Sequence, residues 1–197
     1  MGVCRFMWKG EPVRMLKMVV AAGLAALAVA CAGGPSGRPE DAAALQPVPA
    51  VDLTRYAGRW YEIARYPNSF ERGCAGVTAD YALRDDGRVS VTNTCVEGGL
   101  GGPARAANGV ARPIEGAQGA RLAVNFAPIP LPTGEGNYWI IYLDGAYAHA
   151  VVGEPSGRFL WFLARSPRVT PEARSAMEAA ARGQGYDLSL LEEVAQP

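Results

Sequence analysis

The stretch Asp52-Leu53-Thr54-Arg55-Tyr56-Ala57-Gly58-Arg59-Trp60-Tyr61-Glu62-Ile63-Ala64-Arg65-Tyr66 decides how the chain is read. Before it the sequence is low in aromatics and rich in Ala, Gly and Pro. After it come short apolar runs separated by turn residues, so a folded domain begins here. Gly58-Arg59-Trp60 sets a glycine at the entry of a strand and a bulky indole two residues on. That order suits the closed end of a β-barrel, where the backbone turns inward and one large side chain plugs the floor. An ordinary core Trp on an ordinary strand carries the same letters, so the feature needs support from elsewhere.

Longer segments supply it. The run from Gly58 to Pro67, then Phe70-Glu71-Arg72-Gly73, and later Leu160-Trp161-Phe162-Leu163-Ala164-Arg165-Ser166-Pro167 follow one another in fixed order. In order and spacing they resemble the first and last signature segments of the lipocalin family, in its bacterial, apolipoprotein D-like branch. The resemblance runs from Asp52 onward. It implies an all-β fold: an eight-stranded antiparallel up-and-down barrel with one C-terminal flanking α-helix, over residues 51–197.

The residues themselves point the same way. Apolar runs at 57–66, 76–84, 88–96, 106–113, 120–126, 137–144, 147–153 and 158–165 read as strands of an antiparallel barrel or sandwich. Asp85-Asp86-Gly87, Asp144-Gly145-Ala146 and Pro155-Ser156-Gly157 read as turns. Val77, Ala79, Tyr81 and Leu83 alternate with Thr78 and Asp80, which makes one face dry and one wet. From Thr170 to Gly183 the texture becomes helical. Thr170 is a suitable N-cap, Pro171 and Glu172 fit the first turn, and Ala173, Met177 and Ala180 or Ala181 form a stripe for a barrel wall. Leu188, Leu190, Leu191 and Val194 suggest a short last strand.

Eight closed strands leave room for one small ligand when the inward side chains do not fill the interior. The inward candidates Tyr81, Val91, Phe126, Trp139, Ile141, Trp161 and Leu163 are mostly apolar and mixed in size. Such a lining favours a fatty acid, lysophospholipid or other elongated apolar molecule. Alternation cannot separate lining from filling, so a packed barrel without a ligand stays open. By family resemblance Trp139 and Trp161 are cavity tryptophans. Gly58, Trp60 and Arg165 form the floor, with the Arg165 guanidinium stacked on the Trp60 ring. His149, the single histidine, is placed to meet a ligand headgroup or to be a partly exposed strand residue, with Arg112 and Tyr142 as further headgroup candidates.

Upstream, Met18–Ala30 is an apolar run too short for a comfortable membrane span of about 20 residues, and it fits a secretory signal over residues 1–30. Ala28-Val29-Ala30 before Cys31 resembles the lipobox of bacterial lipoproteins, although Ala28 departs from the usual leucine. The resemblance implies acylation of Cys31 and, with Ala32 rather than Asp next, an outer-membrane address facing the periplasm. Simple small-residue cleavage with an incidental cysteine is the alternative, and Met15 offers a second start. Residues 31–50 lack large apolar groups and read as a flexible tether, holding the domain about 25 Å from Cys31.

The net charge is zero, which argues against nucleic acid as a partner. Four cysteines divide into Cys4 in the removable segment, Cys31, and an even pair, Cys74 and Cys95, expected to bond in an oxidising compartment. The hairpin register raises an objection. With Arg84 opposite Arg88, Cys95 faces Val77, about 10 Å from Cys74, so a bulge or fold-back through Gly73 and Gly76 has to close the gap. No Gly-x-Ser-x-Gly elbow accompanies His149, and one histidine with a paired cysteine set cannot build a metal site. Neither catalysis, cofactor nor metal is expected. Pairing of two barrels is left open.

Overall fold

A computed structural model describes residues 36–127 and 134–197; the proposed signal and Cys31 lie outside these residues. The decisive stretch folds locally first. Asp52 caps a single helical turn, α1 (Leu53–Tyr56), its carboxylate accepting from the N–H groups of Thr54 and Arg55. The chain then turns through Gly58 at φ +92°, where a Cβ would also stand 3.3 Å from Arg165 Nη1.

From Gly58 the chain runs up and down through β1 (Gly58–Arg65), β2 (Cys74–Leu83), β3 (Val89–Glu97), β4 (Ala104–Pro113), β5 (Arg121–Asn125), β6 (Tyr138–Leu143), β7 (His149–Gly153) and β8 (Leu160–Ala164). Each strand pairs with the next, β8 pairs with β1, and β1 pairs with β2, so an eight-stranded antiparallel barrel closes as expected. The floor end carries α1 and the connections at 84–88, 114–120 and 144–148; the mouth end carries those at 66–73, 98–103 and 154–159, together with Phe126, Ala127 and residues 134–137 between β5 and β6. The predicted last strand shrinks to β9 (Glu192–Glu193), which pairs with Ala64 and Arg65. Beside it the tail fills a split between β1 and β2: Gly76 N–H donates to Ala195 O, and Gln196 Nε2 donates to Glu62 O and Val77 O.

The objection to the disulfide is met by a bulge. The β2–β3 register shifts between Ala75 and Thr78, around Gly76 at φ +55°, and Cys74 is bonded to Cys95 with Cα atoms 5.2 Å apart.

Two apolar layers share the barrel wall. The inner one joins Trp60, Ala79, Tyr81, Val89, Val91, Leu122, Ile140, Val152 and Leu163. The outer one lies between β1, β6, β7 and β8 and the helix α2 (Pro171–Gly183), whose Met177 and Ala181 are fully buried against Ile63, Trp139, Val151 and Phe162. Thr170 Oγ1 accepts from Ala173 N–H at the start of α2, and Pro171 occupies the first turn.

The expected tether over residues 31–50 needs correction. Residues 36–50 form a strap laid along the outer wall. Gly37 N–H donates to Gly157 O at the mouth, Val48 N–H to Ile140 O midway, and Val51 N–H to Gln118 O near the floor. Leu45 is buried in the outer layer, and Gln46 and Gln184 exchange two hydrogen bonds. The small residues that read as disorder are what lets the strap lie close: a Cβ on Gly37 would fall 2.3 Å from Tyr66 Cε2. Only the part before residue 36 lies outside the described residues.

Candidate functional site

The barrel interior is built upward from its floor. Trp60 is fully buried and donates its indole N–H to Tyr56 O at 2.8 Å. The Arg165 guanidinium lies 4.0 Å from the Trp60 ring centroid and donates to the carbonyls of Arg59, Ala57, Arg55, Tyr56 and Tyr147. Those carbonyls include the C-terminal end of α1, a partially negative place that suits a cation. The floor residues Gly58, Trp60 and Arg165 therefore meet as the sequence suggested.

Above the floor stand three tyrosines. Tyr138 Oη lies 2.7 Å from Tyr56 Oη and 2.9 Å from Tyr81 Oη. Burial raises the pKa of all three phenols, so they stay neutral and act as hydrogen-bonding groups.

Higher still, a charged set occupies the interior toward the mouth. Glu62 pairs across the ladder with the inward Leu163, and Arg65 with Trp161. Arg65 Nη1 reaches Glu62 Oε1 at 2.8 Å, and Arg65 Nη2 donates to Glu71 O. Glu71 accepts from Trp161 Nε1 at 3.2 Å and from the Asn68 side-chain amide. All four of Glu62, Arg65, Asn68 and Glu71 are buried. Burial, then the charge of Glu71, push the Glu62 carboxyl well above the usual carboxylate range, against the pull of Arg65. Burial and the ion pair with Arg65 thus pull the proton affinity of this carboxyl in opposite directions, and burial prevails. Across the interior the amide oxygen of Asn93, opposite Ala79, is buried without a hydrogen-bond partner among the described residues. The remaining wall, with Val89, Val91, Leu122, Val124, Ile140 and Leu163, is apolar.

Of the residues expected to line this space, Tyr81, Val91, Leu163 and Trp161 belong to the inner layer. Phe126 is 45 % exposed at the mouth, its ring over Gly109. Five others sit on the outer wall. Trp139 and Ile141 pack in the outer layer with Met177, and Trp139 lines a hollow of about 480 Å³ beneath the strap, with Arg121 over its ring. Tyr142 is outward too, because the β6–β7 register shifts between Ile140 and Tyr142. Arg112 pairs with the outward Ala123 and is exposed. His149 pairs with the outward Ala164 at the floor end and bonds Asp144 at 2.7 Å, far from any headgroup at the mouth. Those bonds, with one from Ala148 N–H, outweigh burial and keep the Asp144 carboxyl below its usual value.

The sequence reading missed Tyr56, Glu62, Arg65, Glu71, Asn93 and Tyr138. A signal existed for Glu62: two positions after Trp60 on one strand, it shares the inward face.

Comparison with known proteins agrees with this architecture. Residues 51–196 match the family model described as a lipocalin-like domain. The chain is a lipocalin. It is 38% identical over 186 residues to the outer membrane lipoprotein Blc of Escherichia coli (strain K12), covering 94% of this chain and 99% of that one. Temperature-induced lipocalin-1 of Arabidopsis thaliana is 33% identical over 156 residues, 77% of this lipocalin and 83% of its own length. Apolipoprotein D of Mus musculus is 30% identical over 146 residues, 71% and 74%. Among solved structures, insecticyanin from the tobacco hornworm Manduca sexta superposes with a TM-score of 0.62 at 18% identity, over 83% of this chain and 88% of that one, a likeness of fold. Membership of this family makes the protein a binding protein.

Proposed function

We propose that this lipocalin is an outer-membrane lipoprotein, acylated at Cys31 and facing the periplasm, whose barrel holds a lipid with one acyl chain and a polar head. Fatty acids and lysophospholipids fit that description, and the role is storage or transport during envelope maintenance. The observation that carries the ligand class is the amphipathic interior: an apolar wall from Val89, Val91, Leu122 and Leu163 faces Glu62, Arg65, Glu71 and the unpartnered Asn93 oxygen. Each methylene taken from water favours binding by about 0.8 kcal/mol. A buried acceptor without a partner rewards a head group that donates to it, as a lysophospholipid hydroxyl or ammonium does and an ionised fatty acid does not. The tyrosines share the level of this apolar wall, since Tyr81 pairs with Val91 and Tyr138 with Leu122.

The lipoprotein part rests on likeness to Blc, whose name gives the membrane and the lipid attachment. That match covers 94% of the chain, more than the barrel and strap account for, so it runs into the segment around Cys31.

Titration of the delipidated protein with cis-vaccenic acid or a lysophospholipid tests the ligand class. Trp161 fluorescence should shift; Trp161→Phe should abolish the signal and Trp139→Phe should preserve it. Silence with every lipid, and no lipid in a mass spectrum of extract from the native protein, would leave a structural lipoprotein with a filled barrel.

A further inference from the structure

We infer that the open rim of the barrel is a docking face for a lipid surface, and that the strap holds this rim, not the floor, against the bilayer. The inference rests on the proposed attachment at Cys31 and adds an orientation to it.

Position comes from the strap. Ser36 Oγ donates to Ser156 O, Gly37 N–H donates to Gly157 O, and Asp187 N–H donates to Gly37 O. These bonds fix the start of the strap at the mouth connection between β7 and β8. Five residues from Cys31 to Ser36 span at most about 18 Å. The ten residues of β2 run about 33 Å along the strand, which a tilt of about 40° leaves as about 25 Å from mouth to floor. A lipid at Cys31 therefore sits within reach of the rim and out of reach of the floor.

Chemistry at the rim agrees. Among the described residues four large apolar side chains are exposed, and three stand at the mouth: Phe70 at 48 %, Leu100 at 47 % and Phe126 at 45 %. They come from three separate connections, so together they ring the opening. Exposed apolar residues scattered singly are unremarkable, but a set gathered at the end nearest the anchor matches hydrocarbon. An inward path continues from Phe70. Its ring lies 5.7 Å from Phe159, whose ring stacks on Trp161 at 5.5 Å, and Trp161 bonds Glu71. An acyl chain entering along this series passes from bilayer to interior beside aromatic faces.

The test uses the chain from Cys31 onward, which keeps every described residue. Cys31 is coupled to a maleimide-headgroup phospholipid in vesicles of three parts phosphatidylethanolamine to one part phosphatidylglycerol. Amide hydrogen exchange at 67–73 and 98–103 should slow several-fold against the free protein, with 84–88 unchanged. Phe70→Ser, Leu100→Ser and Phe126→Ser combined should remove that protection while near-ultraviolet circular dichroism stays native. In a Cys31→Ser background, each of these changes should weaken partitioning into the vesicles about tenfold. Slowing at 84–88 instead, no slowing at any loop, or protection that survives the triple change overturns the docking face. Chemical coupling works whether or not the cell acylates Cys31. The lipoprotein reading is checked separately by the mass of the Cys31 peptide from cells, so either idea can fail alone.

Discussion

Arg165 offers the sharpest test of how the barrel is closed. Its guanidinium covers Trp60 at 4.0 Å and bonds Arg59 O at 2.7 Å, Ala57 O at 2.8 Å, Arg55 O at 2.9 Å, Tyr56 O at 3.0 Å and Tyr147 O at 3.3 Å. A hydrogen bond from a charged donor contributes about 1.5 to 3 kcal/mol, but five that share one partly exposed cation do not add. Counting them as about 3 kcal/mol, with about 1 kcal/mol for the cation–π contact, Arg165→Ala should cost about 4 kcal/mol. Lysine keeps the charge but loses the planar fork, so Arg165→Lys should cost about 2 kcal/mol. For a domain of this size these losses lower Tm by about 10 °C and about 5 °C. The assay is thermal and urea unfolding with the disulfide intact, and a cycle with Trp60→Leu should return a coupling of about 1 kcal/mol. Arg165→Lys within about 0.5 kcal/mol of the parent, or Arg165→Ala costing less than about 1 kcal/mol, would refute the fork geometry as the clasp.

The buried carboxyl gives a pH signature. Because the folded state holds the Glu62 proton above the ordinary carboxylate range, the folded form binds more protons than the unfolded one there, and stability falls as pH rises from about 4.5 toward the folded pKa. Glu62→Gln should flatten that slope in urea unfolding as pH is raised above about 4.5; an unchanged slope assigns it to other groups. Replacing Cys74 and Cys95 together by Ala removes a cross-link between residues 21 apart and should cost about 3 kcal/mol, read as a lower urea midpoint. Gly37→Val places a branched side chain where Tyr66 already stands, so limited proteolysis should cut between residues 36 and 46 while the barrel stays intact. Resistance equal to the parent would mean that the strap accommodates the added bulk.

Where one barrel face meets water, the sequence discloses its own parity. Along β2, Thr78 and Asp80 alternate with Ala79 and Tyr81, and the structure turns each pair as the pattern predicts. Along β6 the pattern is Tyr-Trp-Ile-Ile-Tyr-Leu, apolar at every step, because the strap and α2 dry the outer face as thoroughly as the inner. Polarity then carries no parity, and the bulge at Ile141 would have reversed any extrapolation. The expectation that Trp139 lies inside rests on family resemblance, and the letters of β6 hold nothing that would correct it. The strap escaped because much of its attachment is backbone hydrogen bonding to residues far along the chain, with Leu45 the one large buried side chain between residues 36 and 50. Glu62 and Arg65 were hidden by a contrary habit: charged letters are ordinarily read as solvated, only the spacing of two from Trp60 marks Glu62 as inward, and Arg65, five positions on, reaches the inner face through the register shift between Glu62 and Ala64.

The split between β1 and β2 bears on the order in which the molecule is made. The ladder joins these strands only from Gly58 to Tyr61, and the upper part of the join is completed by Val194, Ala195 and Gln196, whose side chain reaches back 134 positions to Glu62. Hairpins from β2 to β8 can zip one after another as the polypeptide emerges, but this last stitch waits for residues translated long after both edges exist. Loop-closing contacts of such sequence separation are slow to form. Until then the cylinder stands ajar along one side, and the final few residues act as its latch.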